Sequence, residues 1–273
     1  MHIVESNGAR IPALGLGTWD IRGETCVEIV AEGLKLGYRH VDTAAAYENE
    51  VQVGEGMRAS GVAREDIFLT TKVWHDRLRS GDLEKSAEES IARLGVDYLD
   101  LLLVHWPNPA VPVRETMEAI SRVKRDGLTR NIGISNFTVA LVEEAVAASP
   151  EPIVTNQIEY HPYLDQAKVM EACRRHGISV TAYCPIARGK VVGDPVIEEI
   201  AARHGKTPVQ VTLRWLVQQP DVIAIPRTSS KVRLAENLDI DGFTLSVAEM
   251  QAIAGLSHPQ GRLVRAAWAP NWD

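Results

Sequence analysis

The chain reads as an α/β protein, a (β/α)8 TIM barrel, on two observations. Eight short and nearly continuous apolar runs alternate with amphipathic helical stretches along 273 residues. An open doubly wound sheet would instead carry a glycine fingerprint after its first strand. Here that stretch reads "GLGTWD", with Asp20 where the third glycine belongs. "GEGMRA" at 54–59 does spell G-x-G-x-x-A, but it lies inside a predicted helix with no strand directly before it. The match reads as accidental.

The predicted strands are "ALGLGT", "YRHVDTA", "IFLTTKVW", "YLDLLLVHW", "NIGISNF", "VTNQIEYH", "ISVTAYCP" and "VIAIPRT". Their continuous apolar character suits strands buried on both faces. Helical periodicity follows at 24–36, 48–59, 82–94, 113–126, 138–148, 165–176, 208–218 and 230–238. Two auxiliary helices are predicted at 194–204 and 246–255. Ahead of the repeat, "HIVESNGARIPAL" places an N-G turn between short apolar runs, the mark of a β-hairpin that would plug the N-terminal end of the barrel. Behind it, "SHPQGRLVRAAWAPNWD" has no periodicity and carries two tryptophans, as a C-terminal substrate loop would. With no linker or low-complexity segment, residues 1–273 are expected to be one domain.

Composition narrows the function. A formal net charge of −7 argues against a nucleic-acid or anionic-membrane surface. The N-terminus lacks the pattern of a secretion signal, and no apolar run approaches the length of a membrane span. Cys26, Cys173 and Cys184 are scattered without metal-ligand spacing, so reduced thiols in a cytoplasmic protein and no metal are expected.

Active sites of such barrels lie at the C-terminal ends of the strands. The second strand ends with Asp42 and leads through three alanines to Tyr47. The third ends with Lys72 and Trp74, the fourth with His105 and Trp106. Singly, a strand-end lysine usually snorkels to water and such a histidine is usually structural. Together they stand on consecutive strands, about 5 Å apart. A phenol, with a pKa near 10, exchanges protons poorly at neutral pH. An ammonium about 4 Å away favours phenolate by about 4 kcal/mol at an effective dielectric of about 20. Lys72 is therefore expected to bring the Tyr47 hydroxyl down toward neutral pH, with Asp42 compensating the buried ammonium and His105 polarising a substrate oxygen. None of these groups supplies reducing electrons, so a hydride donor must be bound.

After the eighth strand, "PRTSSKVR" sets Arg227, Thr228 and Arg233 around a helix start, a favourable place for a phosphate. Pocket walls are expected from Trp19, Tyr47, Trp74, His105 and Trp106, with Trp268 or Trp272 folding over from the tail and Arg262 near an acidic substrate group.

The stretches "GLGTW", "HVDTAAAYENE", "TTKVW", "LLLVHWP", "IGISNF", "NQIEYHPYL", "AYCPIARG" and "IPRTSSKVRLAENL" together resemble the aldo-keto reductases over essentially the whole chain. The short ending is similar to that of bacterial members of the 2,5-diketo-D-gluconate and methylglyoxal reductase type. The resemblance implies NADPH-dependent reduction of aldehydes and ketones. It makes Tyr47 the general acid, with Asp42, Lys72 and His105 completing a tetrad. It further implies that Ser135, Asn136 and Gln157 bind the nicotinamide carboxamide and that Tyr183 stacks on the ring. Thr18, Trp19, Cys184, Pro185, Ile186 and Gly189 would line the rest of the cofactor path. Arg227, Thr228, Ser229 and Arg233 would grip the adenosine 2′-phosphate, and Glu236 and Asn237 would read adenine. Arg227 and Thr228 stand where many members have lysine and serine, and Cys184 and Ile186 replace a commoner serine and leucine. A monomer acting on a small carbonyl compound is expected. The alternative is a cofactor-binding redox-sensor or regulatory subunit of the same fold with little turnover.

Overall fold

Strands that are apolar on both faces need helices outside and their own side chains inside, and this chain supplies both. A computed structural model describes residues 2–273. It opens with an antiparallel hairpin, β1 (Ile3–Ser6) and β2 (Ala9–Pro12). The turn residues Asn7 and Gly8 take φ of 44° and 87°, the two-residue geometry that the N-G pair predicts. Asn7 Nδ2 donates to the Ile153 carbonyl at 2.7 Å, and Ser6 Oγ to the Val154 carbonyl at 2.6 Å. These carbonyls belong to the start of a barrel strand, so the hairpin sits across the N-terminal end, as expected.

The barrel then runs β3 (Leu16–Gly17), α1 (Gly23–Leu36), β4 (His40–Asp42), α2 (Glu50–Ser60), β5 (Phe68–Val73) and α3 (Asp82–Leu94). It continues with β6 (Leu99–Val104), α4 (Val113–Arg125), β7 (Thr129–Ser135), α5 (Val139–Ala148), β8 (Ile153–Glu159) and α6 (Ala167–Arg175). The last turn comprises β9 (Ser179–Tyr183), α7 (Pro195–His204), α8 (Pro208–Val217), β10 (Val222–Ala224), α9 (Lys231–Leu238) and α10 (Val247–Ala254). Each strand from β3 to β10 pairs in parallel with the next, and β6 and β8 are buried along their whole lengths. The auxiliary helices are α7 and α10.

The ring closes where Leu14 bridges Ala224 and Gly17 bridges Arg227. A Cβ on Gly17 would stand 2.9 Å from the Ile225 carbonyl oxygen, so only glycine lets the first strand approach the last. Within the predicted "ALGLGT" run, Leu16–Gly17 alone forms a strand, and the remainder curves into this seam. The "GEGMRA" stretch also finds its reason. A Cβ on Gly54 would fall 2.0 Å from the Leu94 carbonyl oxygen, so that glycine permits α2 to pack against the end of α3. Among the described residues, no helix is long and apolar enough to cross a membrane.

Candidate active site

Strand ends deliver the acid–base cluster. Asp42 closes β4, Lys72 lies next to last in β5, and His105 follows β6. Tyr47 comes from a short 3₁₀ turn, Ala45–Tyr47, so the small residues after Asp42 serve to swing the phenol back over the rim. Lys72 Nζ donates to Asp42 Oδ1 at 2.6 Å, to the Thr43 carbonyl at 2.8 Å and to Tyr47 Oη at 3.4 Å. The Lys72 and Asp42 side chains are 0% and 2% exposed, so this ion pair is shut off from water. The His105 ring meets Tyr47 edge-on at 5.6 Å and Trp74 at 5.0 Å. The predicted quartet is one contiguous group.

Its electrostatics correct one expectation. Burial lowers the Lys72 ammonium from its ordinary range, opposed by the adjacent Asp42 carboxylate. Burial, then Lys72 and His75, hold His105 well below the usual imidazole value, so it is neutral at pH 7. Its buried Nδ1 has no hydrogen-bond partner among the described residues. Although the Tyr47 ring is part-exposed at the mouth, enclosure of its hydroxyl pushes the phenol well above its usual value, with Asp42 and then Cys184 adding to the effect. Lys72 thus does not draw the phenol toward neutrality. An ammonium held 2.6 Å from a carboxylate presents little net charge to a third group. Tyr47 rests as a neutral phenol with a proton to give, and Lys72 orients it.

The predicted nicotinamide shelf lies on the next three strands, and its side chains are already linked. Tyr183 Oη donates to Asn136 Oδ1 at 2.8 Å, and Asn136 Nδ2 to Ser135 Oγ at 3.1 Å. Ser135 Oγ donates to the Gln157 carbonyl at 2.8 Å, and Gln157 Nε2 to Asp42 Oδ2 at 2.7 Å. A continuous chain of polar contacts therefore runs from Tyr183 through Asp42 and Lys72 to Tyr47. Thr18 is fully buried and donates through Oγ1 to the Asp42 carbonyl at 2.9 Å. The motif also holds a brace that sequence reasoning passed over. Asn49 donates to the Thr18 and Ile21 carbonyls at 2.8 and 2.9 Å and accepts from Thr43 Oγ1 at 2.9 Å.

The loops after β9 and β10 make the adjoining part of the rim, where barrels of this type commonly bind phosphate. Cys184, Ala187 and Arg188 adopt φ of 50°, 47° and 55°, a left-handed backbone that residues other than glycine rarely take. Such strain collects at ligand-holding loops. Pro185 and Ile186 lie within this bend, which Gly189 closes with its N–H donated to the Ile186 carbonyl at 2.8 Å. Arg188, not anticipated, sets its guanidinium 5.7 Å from the centre of the Trp19 ring, on the loop that follows β3. Arg227 donates to the carbonyls of Trp19 and Asp20 at 3.1 and 2.7 Å and so ties the β3 and β10 loops together. Ser230 caps α9, its Oγ accepting from Arg233 N at 3.5 Å, while Thr228 Oγ1 accepts from Ser230 N at 3.1 Å. Ser229, Arg233 and Glu236 are exposed around this helix start, and Asn237 is buried.

The tail crosses the remaining side. Trp268 stacks on His75, with ring centres 5.2 Å apart and planes 20° apart, and meets Trp74 edge-on at 5.4 Å. Trp272 meets Trp106 at 6.1 Å and lies under the Arg262 guanidinium at 3.7 Å. Both tail tryptophans fold over, whereas Trp19, which follows β3, stands 51% exposed.

A family model described as "Aldo/keto reductase family" matches residues 13–258. The chain belongs to the aldo/keto reductase family. It is 43% identical to the methylglyoxal reductase DkgB of Salmonella typhi over 266 residues, 96% of this chain and 99% of that one. A crystal structure provisionally assigned as a 2,5-diketo-D-gluconic acid reductase B superposes with a TM-score of 0.98 at 51% identity, covering 100% of this chain and 98% of that one. The Bombyx mori aldo-keto reductase in complex with NADP gives 0.90 at 32% identity, covering 97% and 95%. This aldo-keto reductase is accordingly an oxidoreductase acting on carbonyl groups, in a family that uses nicotinamide cofactors.

Proposed function

We propose that this reductase uses NADPH to reduce small α-dicarbonyls such as methylglyoxal, or diketo sugar acids, with Tyr47 as general acid. The observation that carries the reading is the Asp42–Lys72–Tyr47 contact set at 2.6 and 3.4 Å, standing next to the Ser135–Asn136–Gln157–Tyr183 shelf. The donors on that shelf, an aromatic ring beside amide groups, fit a nicotinamide. The strained loop and the exposed Arg233 at a helix start fit its phosphates. When bound, the reduced cofactor supplies the hydride.

The protein's own residues do the rest. Neutral His105 donates a hydrogen bond from its ring N–H to the carbonyl oxygen and polarises it while keeping that proton. Lys72, neutralised by Asp42, holds Tyr47 Oη at the rim. Tyr47 gives its proton to the oxygen as alkoxide character develops, and the Lys72 N–H, 3.4 Å from Tyr47 Oη, keeps the oxygen left behind in place. Trp74, Trp106 and Trp268 exclude water from the reacting carbonyl. We place all of this in one domain and one chain, since each group comes from a single barrel rim, and the free thiols Cys26, Cys173 and Cys184 support a reducing cytoplasm.

Mixing the protein with NADPH and methylglyoxal is expected to bleach the reduced-nicotinamide absorbance with turnover, and a panel of aldehydes, ketones and keto acids then ranks substrates by kcat/KM. No turnover across that panel would overturn the reading. Arg233→Ala is expected to weaken NADPH binding by about 10-fold or more while NADH binding shifts less than about twofold. Equal effects on the two cofactors would remove Arg233 from the 2′-phosphate.

A further inference from the structure

Among the buried carboxylates that the mechanism leaves without a task, one stands at the end of a barrel strand. Glu159 ends β8, two residues beyond Gln157 and directly opposite Tyr183 in the sheet, and it is 0% exposed. A carboxylate without water is tolerated only when its oxygens are fully partnered. Its partners come chiefly from the other end of the chain. Oε1 accepts from Leu263 N at 2.6 Å and Oε2 from Val264 N at 2.9 Å. His161 Nε2 lies 3.0 Å from Oε1, and Arg262 Nη1 reaches within 4.0 Å of Oε2. Beside this, the Tyr163 carbonyl accepts from His258 N at 3.2 Å, and a Cβ on Gly261 would collide with that same carbonyl at 1.7 Å. The tail therefore descends onto the β8 rim at one place and is held there by backbone groups. From that point it carries Trp268 to Trp74 and His75, and Trp272 to Trp106, while Asp273 Oδ2 accepts from Val139 N at 2.9 Å.

We propose that Glu159 is a positioning residue for carbonyl reduction: its carboxylate seats the C-terminal tail on the barrel rim and so sets the substrate wall made by the tail tryptophans. Glu159 touches no reacting atom on this reading. It acts through the two tail N–H groups, and Arg262, 13% exposed, is held largely out of water by the same attachment. The assignment rests on the function proposed above only for its kinetic arm, because seating of the tail has a readout of its own.

Two variants test it. Glu159→Gln keeps the size of the side chain and removes its charge. Val264→Pro removes one of the two N–H donors from a segment outside any helix or strand, leaving the barrel untouched. Each is expected to speed tryptic cleavage after Arg262 by about 10-fold or more, as local opening of a segment does, with the thermal midpoint nearly unchanged. Each is also expected to raise KM for methylglyoxal by about 10-fold while kcat and the NADPH dissociation constant stay within about twofold, the pattern of lost substrate positioning. The double variant should be no worse than either single one, since both cut the same attachment. Protection of Arg262 together with an unchanged KM in Val264→Pro would overturn the proposal, even if Glu159→Gln failed to fold. So would a joint fall of NADPH affinity and thermal midpoint in both variants, which would make Glu159 a support of the barrel alone. Should the parent prove inactive on carbonyls, the function fails and the cleavage measurement still decides the seating.

Discussion

Tyr47→Phe is expected to lower kcat for carbonyl reduction by about 100-fold or more, with NADPH affinity within about twofold of the parent. The substitution removes one oxygen and keeps the ring that packs edge-on against His105 at 5.6 Å. Lys72 keeps Asp42 and the Thr43 carbonyl, so its place in the cluster survives the change. What disappears is the hydroxyl proposed to give the proton at the mouth. Single-turnover absorbance measurements separate this from slow product release. A loss of only a fewfold would pass the acid role to His105 or water.

Lys72→Met should be the more damaging change, because it strikes stability and turnover together. The Asp42–Lys72 pair is buried on both sides, and removing one partner of such a pair typically costs about 3–5 kcal/mol, since the other charge is left behind without water. Gln157 Nε2, at 2.7 Å from Asp42 Oδ2, offsets a part of that penalty. Urea unfolding monitored by tryptophan fluorescence measures it. Pairing the change with Asp42→Asn should restore part of the lost stability, as the stranded charge is then gone, yet no turnover should return. Full stability in the single variant would mean that Asp42 takes up a proton at little cost.

The outline of the fold was legible because each strand announces itself by apolar continuity and each helix by its period. The hairpin and both auxiliary helices fell where the residues pointed. The contact of Asp42, Tyr47, Lys72 and His105 was legible for a related reason: strand ends of a barrel share one rim, so Asp42, Lys72 and His105 had to be neighbours. Other features could not be read in this way. The direction in which Tyr47 is displaced depends on how completely its hydroxyl is enclosed, and composition carries no trace of enclosure. Ala187 and Arg188 hold a left-handed backbone that their own chemistry disfavours, so no local signal marks it. Glu159 sits in "NQIEYHPYL" as an unremarkable strand residue, and its two backbone donors lie over a hundred positions away in a segment without period. The signal that existed was a carboxylate in a run otherwise fit only for burial.

The thread of contacts from Tyr183 to Tyr47 has a consequence for how the two halves of the site communicate. Gln157 has one amide nitrogen, and here it leans on the same carboxylate that tethers the ammonium. A guest that claims that nitrogen leaves Asp42 one donor poorer, so the carboxylate leans harder on the ammonium. Occupancy of the shelf would in that way be felt at the phenol, through the carboxylate that fixes the lysine that aims it.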